Sequence, residues 1–236
     1  MTDVPRVGPW QDATVVDIRD ETSRVKTFRL SLPEPTLHLA GQHYLVRLTA
    51  PDGYTAQRSY SVASPPDDGH EIELTVERLP DGEVSTFLHD ELTVGDTLEV
   101  RGPIGGWFVW DGTTPVLLLG GGSGIVPLMA MLRLARRTAS QTLAHLVSSV
   151  RTPGDLIYAN ELENDDATVI HTRQAPVDEI RPVGRLTLED LAPHTRPDAV
   201  NYICGSSAFA DAASEHLVNA GVDTTTIRVE RFGPTA

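Results

Sequence analysis

Two different hydrophobic patterns divide the chain. Before about residue 110, apolar residues alternate with polar ones in short runs separated by turn residues. The runs lie at 14–19, 25–30, 44–48, 59–63, 72–78 and 97–101. Six short alternating runs at this spacing predict a six-stranded antiparallel barrel. Only 84–92 in this half has a helical pattern.

After Gly112 the pattern changes to alternating strands and helices. Strand-like runs occupy 115–119, 142–149, 167–172, 199–203 and 225–231, and helical runs occupy 126–137, 155–163, 187–192 and 208–220. This alternation predicts a doubly wound parallel sheet with flanking helices. The fold class is therefore β + α/β, with a flexible tail at 1–9, a barrel domain at 10–110 and a second domain at 111–236.

A glycine-rich turn is the strongest single motif of the second half. The apolar run Val116–Leu119 stops at three glycines and Ser123-Gly124, and a helical pattern follows. This order indicates a strand, a turn and a helix start, where free N–H groups bind phosphates. Gly122, Ser123 and Gly124 are therefore candidates to hold a dinucleotide, although tight packing alone would also explain the glycines.

Composition narrows the class of protein. The chain has 236 residues, of which 40% are hydrophobic and 22% charged, as in ordinary soluble domains. We find no apolar stretch long enough for a membrane span or a signal peptide, and we expect a cytoplasmic protein. Cys204 is the only cysteine, which excludes an internal disulfide or a cysteine-held cluster within this chain. We predict no metal site.

The formal charge of −14 argues against nucleic acid or an anionic membrane as the main partner. Arg133, Arg136 and Arg137 nevertheless lie close together on the helix after the glycine turn. A solvated helix face is the simpler interpretation, and a docking patch for an acidic redox partner is the alternative.

Two motifs in the barrel half have chemistry suited to a cofactor. In Arg58-Ser59-Tyr60-Ser61, a guanidinium suits a phosphate and a ring suits a flat heterocycle, although an ordinary exposed strand would look the same. In the second motif, Gly82 precedes Ser85 at the start of the predicted helix. Ser85 is either a simple helix cap or part of a second phosphate site.

Together these motifs resemble the ferredoxin–NADP reductase superfamily of two-domain flavoproteins over nearly the whole chain. The segments that carry the resemblance are RSYS at 58–61, LTVER at 74–78, GEVSTFL at 82–88, GPIGGWF at 102–108, GGGSGIVP at 120–127, YICGSS at 202–207 and VERF at 229–232. The resemblance implies a Greek-key barrel that binds flavin and a sheet domain that binds NAD(P).

The resemblance also assigns roles in the barrel. It implies that Arg58 holds the flavin pyrophosphate, that Tyr60 packs on the isoalloxazine and that Ser61 hydrogen-bonds near its N5. It implies FAD rather than FMN, a choice that residue chemistry alone leaves open. The further flavin contacts that it implies are Ser59, Thr75, Val76, Glu77, Gly82, Val84, Ser85, Thr86 and Phe232.

In the second domain the resemblance places Ser123 and Gly124 on the nucleotide pyrophosphate, and Cys204 and Gly205 beside the nicotinamide. Ser206 replaces the proline that usually follows this Cys-Gly pair; Ser206 or Ser207 can cap the next helix. Glu230 corresponds to a carboxylate near the active centre.

The choice between the two nucleotides follows from charge. Ser149 and Arg151 follow the second strand with no acid beside them, which favours NADPH over NADH. Arg173 and Arg185 are weaker candidates for the same anion. By the resemblance Tyr158 packs on adenine, and a ring in the protein core is the alternative.

The predicted function is transfer of a hydride from NADPH to FAD, with Ser61, Cys204 and Glu230 as catalytic residues. Electrons would then pass to a separate ferredoxin, flavodoxin, oxygenase component or small molecule. A free-flavin reductase and an electron-transfer subunit of a larger redox complex remain alternatives.

Overall fold

The computed structural model describes residues 7–232, which form two compact units that divide between Trp110 and Asp111. Of the predicted tail, residues 1–6 lie outside the described part. The Gly8 N–H donates to the Gly102 carbonyl at 3.2 Å, so this part of the predicted tail is bonded to the barrel.

The first unit is a six-stranded antiparallel sheet with one helix. Its elements are β1 (Gln11–Thr22), β2 (Val25–Ser31), β3 (His43–Thr49), β4 (Thr55–Ser61), β5 (Glu71–Glu77), α1 (Glu83–Asp90) and β6 (Thr97–Ile104). The strands lie in the order β4-β3-β6-β1-β2-β5. The sheet curves so that its two end strands meet at one bridge, Val62 to Leu74. This confirms the predicted antiparallel barrel.

Alternating side chains fill the barrel interior. Phe28, Leu30, Tyr44, Ile72 and Leu74 are among the largest side chains that are almost wholly buried. Burying an apolar side chain such as Phe28 or Leu30 contributes about 1.5–3 kcal/mol, so the inward-facing positions of the alternating strands stabilise this unit.

The second unit is a five-stranded parallel sheet with helices on both faces. Its elements are β7 (Val116–Gly121), α2 (Ile125–Arg137), β8 (Ala144–Val150), β9 (Ala167–His171), α3 (Leu188–Leu191), β10 (Val200–Gly205), α4 (Ser207–Asn219) and β11 (Ile227–Arg231). The strands lie in the order β11-β10-β7-β8-β9. The chain therefore reverses direction across the sheet between β7 and β10, which confirms the doubly wound prediction.

The predicted helix at 155–163 is wrong. This segment contains only two 3-10 turns, Pro153–Asp155 and Ala159–Glu161. Tyr158 between them has a left-handed backbone, with φ 60° and ψ 34°, which interrupts a right-handed helix. The apolar residues of 155–163 have helical spacing, but they lie in an irregular connection between β8 and β9.

Candidate functional sites

The barrel wall is open between its two end strands. Next to the Val62–Leu74 bridge, the segment that follows β4 is bonded to β5: the Ala63 N–H donates to the Glu73 carbonyl at 2.8 Å, and the Glu73 N–H donates to the Ser64 hydroxyl at 3.1 Å. Residues 58–60 of β4 and residues 75–77 of β5 are not paired with each other in the sheet. The segments RSYS and LTVER therefore lie on the two end strands of the sheet, on either side of the opening.

Arg58 lacks the carboxylate partner that neighbouring arginines have. Its Nη1 donates to the Gln57 carbonyl at 2.7 Å, and it forms no ion pair with any residue in the described part of the chain. By contrast, five other barrel arginines pair with acids, namely Arg19, Arg24, Arg29, Arg47 and Arg78. An exposed cation without a counter-charge in an acidic domain is suited to an anionic ligand.

Tyr60 and Ser61 extend the same strand toward the barrel interior. Burial raises the pKa of Tyr60 to about 12, against a smaller lowering by the Arg58 charge. Tyr60 packs on the barrel core, and Ser61 is 6% exposed and pairs in register with His43. The Tyr60 ring is therefore fixed by packing close to Arg58 in sequence, and Ser61 is almost wholly shielded from solvent.

The start of α1 requires glycine and has free backbone donors. A Cβ at Gly82 would overlap the Ser85 hydroxyl, so the turn has no room for a side chain. The first intrahelical bond runs from the Thr86 N–H to the Gly82 carbonyl at 2.8 Å. The N–H groups of Glu83, Val84 and Ser85 precede this bond and have no intrahelical acceptor. Thr86, one of the flavin contacts that the resemblance implies, thus uses its N–H within the helix, whereas the Glu83 N–H has no intrahelical acceptor.

Ser85 is not the helix cap. The N-cap is Gly82, and the Ser85 hydroxyl donates to the Gly82 carbonyl at 3.1 Å and accepts from the Leu79 N–H at 3.2 Å. Because its side chain holds the turn, only its backbone N–H remains for a ligand.

The predicted β5 side chains are engaged within the barrel. The Thr75 and Thr27 hydroxyls lie 2.8 Å apart, and Val76 is part of the core. A Glu77 carboxylate oxygen accepts from Arg24 at 3.2 Å. A flavin contact by this strand would therefore come from its backbone.

In the second unit the glycine turn is packed too tightly for side chains. A Cβ at Gly124 would lie 2.6 Å from the Gly205 N and closer still to the Cys204 carbonyl. A Cβ at Gly121 would lie 2.6 Å from the Phe209 ring. Gly122 has φ 57°, a conformation that glycine adopts readily. The turn therefore brings the start of α2 against the end of β10.

This contact lies at the topological switch of the sheet. Cys204 pairs in register with Gly120, and Gly205 follows it at the carboxyl end of β10. Ser206 caps α4 by accepting from the Phe209 N–H at 3.3 Å. Ligands of doubly wound sheets bind at the carboxyl ends of the strands at the point where the order reverses. Gly122–Gly124 and Cys204–Gly205 border that crevice.

Cys204 and Glu230 are neighbours on β10 and β11. Burial raises the pKa of the Cys204 thiol well above its usual value, and the nearby Glu230 carboxylate adds to this effect. Burial also raises the pKa of Glu230 to about 7. The thiol therefore stays protonated at neutral pH, while Glu230 is poised to gain or lose a proton. Phe232 follows, and its N–H donates to the Gly205 carbonyl at 2.9 Å.

Two exposed arginines meet at the carboxyl ends of β8 and β9. The Arg173 N–H donates to the Arg151 carbonyl at 2.9 Å. Neither guanidinium forms an ion pair with a residue in the range 7–232. Ser149 is half-buried two residues before Arg151. This corner thus has positive charge available for an anion.

Tyr158 and the α2 arginines form a closed cluster. Tyr158 is 3% exposed, and the Arg133 guanidinium lies 4.6 Å from its ring centre. Arg133 also pairs with Glu161, and Arg136 pairs with Asp166. Tyr158 is therefore a ring in the protein core. Of the three cations predicted to form a solvated face or a docking patch, Arg133 and Arg136 instead anchor the loop before β9.

A separate cavity of about 660 Å³ lies at the amino ends of the strands. The stacked rings of His145 and His194, 3.6 Å apart, line it together with Arg136 and Asp166. It contains none of the predicted site residues and lies at the sheet edge opposite the glycine turn.

Among residues 7–232, no helix is both long enough and apolar enough to cross a bilayer.

An antiparallel barrel followed by a doubly wound sheet with a glycine turn at its switch point is the architecture of a two-domain flavoprotein of the oxidoreductase class. Residues 12–109 match the family model "Oxidoreductase FAD-binding domain", and residues 118–215 match "Oxidoreductase NAD-binding domain". The chain belongs to the ferredoxin–NADP reductase superfamily.

Three comparisons illustrate the relationship. The chain is 33% identical to the glycine betaine monooxygenase reductase subunit of Chromohalobacter salexigens, over 93% of this chain and 63% of that protein. It is 27% identical to the Amycolatopsis cytochrome P450 reductase, with a TM-score of 0.78 over 98% of this chain and 72% of that one. The FAD/NAD-binding domain of a Vibrio cholerae nitric oxide dioxygenase shares the fold, at 24% identity and a TM-score of 0.84, over 97% and 100% of the two chains.

The chain spans less than two thirds of the length of the monooxygenase reductase relative.

The residues at the barrel opening fit FAD. Arg58 has no counter-charge among the described residues, and the Gly82 turn is one that a side chain would fill.

Proposed function

We propose that this protein takes a hydride from NADPH onto FAD and passes electrons to a separate acceptor. In this proposal residues 10–110 hold FAD and residues 111–236 hold NADPH. The observation that carries it is the presence, in one chain, of two features: Arg58, which has no acidic partner among residues 7–232, near a helix that starts at a glycine, and a glycine turn at a sheet's switch point.

The barrel residues would bind and orient the flavin. Arg58 and the free N–H groups at the start of α1 would share the pyrophosphate charge, and Tyr60 would hold the ring plane. Ser61, with its hydroxyl in a nearly dry position, would donate a hydrogen bond near the flavin N5. FAD supplies the electron-accepting ring; the protein supplies position and exclusion of water.

The second unit would bind the nucleotide and handle protons. Gly122–Gly124 would receive its pyrophosphate, and Cys204 and Gly205 would limit the nicotinamide's position. Because its pKa is raised to about 7, Glu230 would hold or release a proton near that ring at physiological pH. The protonated Cys204 thiol would act by contact and not as a nucleophile.

Arg151 and Arg173 support NADPH as the donor. Two guanidinium groups without ion pairs in the described chain lie at the ends of neighbouring strands, where a 2′-phosphate would bring two negative charges. The buried Tyr158 does not offer an open ring face for adenine in this structure.

We propose an oxygenase component as the leading acceptor. The relative from Chromohalobacter salexigens is named a reductase subunit of a monooxygenase. The net charge of −14, together with the ion pairs that neutralise Arg133 and Arg136, favours a partner with a basic docking surface over an acidic ferredoxin. We also propose a cytoplasmic location, since NADPH is available there.

The test is to purify the protein without added flavin and analyse the flavin released on denaturation. We expect about one FAD per chain, and NADPH oxidation that accelerates when a one-electron acceptor protein or dye is added. A colourless protein active only with excess free flavin would instead establish a free-flavin reductase.

A further inference from the structure

His171 and Glu179 are bonded to each other at the start of the loop that follows β9. The His171 Nδ1 and the Glu179 Oε2 lie 2.5 Å apart, and His171 is 4% exposed. Because a carboxylate oxygen only accepts, the ring donates through Nδ1. Its other nitrogen, Nε2, is buried and has no hydrogen-bond partner among residues 7–232. Within that range, the bond to Glu179 is therefore the only hydrogen bond that orients this ring.

This bond closes a loop that is held at both ends. At its start, the Arg173 N–H donates to the Arg151 carbonyl at 2.9 Å. Farther along the chain, the Gly184 N–H donates to the His171 carbonyl at 3.1 Å. The segment 172–184 is thus folded back onto the end of β9, and Arg173 lies in the part that the side-chain bond closes.

The same bonds separate the charges of this region. Glu179 is bonded to His171, and Asp190 pairs with Arg181. Arg173, by contrast, is exposed and forms no ion pair with any residue in the range 7–232. A Glu179 carboxylate released from His171 would be a negative charge on the same loop as Arg173, and it would compete with an anionic ligand. Holding this carboxylate on the ring keeps the Arg173 charge available.

We propose that His171 and Glu179 are positioning residues, which hold Arg173 beside Arg151 and so strengthen the preference of the nucleotide site for a 2′-phosphate. This inference rests on the proposed function, since it concerns the same nucleotide site. Both residues act through Arg173 and neither contacts the nucleotide. The sequence gives no signal for the pair, because the two residues are eight positions apart and Glu179 lies in a loop.

The experiment measures kcat and KM with NADPH and with NADH for the full-length protein and three variants. Glu179→Ala removes the bond to His171, and Glu179→Gln keeps an oxygen that accepts from Nδ1. Asp178→Asn is the matched control, because it removes an exposed negative charge from the same segment. Loss of charge alone would tighten NADPH binding in all three variants, whereas loss of position weakens it in Glu179→Ala only. Thermal melting of each variant controls for folding.

We expect Glu179→Ala to raise the KM for NADPH about tenfold, the lower end of what loss of a hydrogen bond to a charged group produces, and to leave kcat and the KM for NADH within about twofold. Glu179→Gln and Asp178→Asn should stay within about threefold of the wild type. In an Arg173→Ala background, Glu179→Ala should add less than about twofold, because the residue through which it acts is gone.

Three results would overturn the inference while the proposed function stands. Glu179→Ala would bind NADPH as the wild type does, would lose both nucleotides equally, or would lose NADPH by the same factor when Arg173 is already alanine. A wild type whose KM for NADPH is no lower than its KM for NADH would overturn the assignment of NADPH as the donor, and this inference with it.

Discussion

Cys204 and Glu230 occupy paired positions in the parallel register of β10 and β11. Cys204 is buried and Glu230 is half-buried. Burial raises the pKa of both groups, and the Glu230 carboxylate adds to the rise at the Cys204 thiol. This places a protonated thiol beside a carboxyl group that titrates near neutral pH.

The raised pKa of Glu230 predicts a pH-dependent stability. Between its ordinary pKa of 4.5 and its folded value of about 7, the folded state binds more protons than the unfolded state, so stability falls as pH rises through this window. Glu230→Gln cannot ionise at this position, so its stability should not fall with pH for this reason. From pH 5 to pH 8, the free energy of unfolding of the variant minus that of the wild type should rise by about 2 kcal/mol. This value is reduced to allow for the partial exposure of Glu230 to solvent. Denaturant unfolding at the two pH values measures this, and a difference that does not change with pH would contradict it.

Ser61 and Cys204 should matter for hydride transfer and not for flavin content. Ser61→Ala or Cys204→Ala removes a group that positions a ring, and a displacement of this kind typically slows reaction about 10- to 100-fold. Anaerobic stopped-flow reduction by NADPH measures the rate, with flavin content assayed in parallel. Cys204→Ser, which keeps a small polar group, is the conservative control and should retain more of the rate. Unchanged reduction rates in both alanine variants would remove these residues from the mechanism.

The close packing at Gly124 makes a sharp test of the nucleotide turn. Gly124→Ala forces a Cβ into the Cys204–Gly205 peptide, which should cost about 1–3 kcal/mol of stability and weaken NADPH binding at least about tenfold. Gly184→Ala is the matched control, because a Cβ there has no neighbour within 4 Å. Calorimetric NADPH titration and thermal melting distinguish the two. Equal behaviour of both variants would show that the turn is not the nucleotide cradle.

Arg151 should determine the preference for NADPH. Losing a hydrogen-bonded charge pair costs about 1.5–3 kcal/mol, so Arg151→Ala should raise the KM for NADPH about 10- to 100-fold with little change for NADH. Arg137→Ala removes an equally exposed arginine on the last turn of α2 and should change neither constant. Parallel losses with both nucleotides would mean that Arg151 does not contact a 2′-phosphate.

The strands and most helices could be predicted because the spacing of apolar residues within each segment is enough to identify it. Alternation marks the barrel strands, and apolar residues spaced as Leu128, Met131, Leu132 and Ala135 mark α2, in which all four are fully buried. Local spacing failed at 155–163, where the left-handed backbone of Tyr158 prevents a helix.

The parts of the site that sequence could not supply depend on distant partners. Arg133 and Glu161 are 28 residues apart in sequence, and Arg136 and Asp166 are 30 residues apart, so local sequence cannot show that these arginines are paired with acids. Likewise, nothing local reveals that Arg58 has no acidic partner among residues 7–232.

The central claim is that one chain binds flavin and reduces it with a pyridine nucleotide. The most direct measurement is the visible spectrum of the purified protein before and after anaerobic addition of NADPH. We predict the absorption bands of a bound flavin that bleach on addition of one equivalent of NADPH and return on exposure to oxygen. A protein that, after reconstitution with FAD, shows no flavin bands, or bands that NADPH leaves unchanged, would contradict the account.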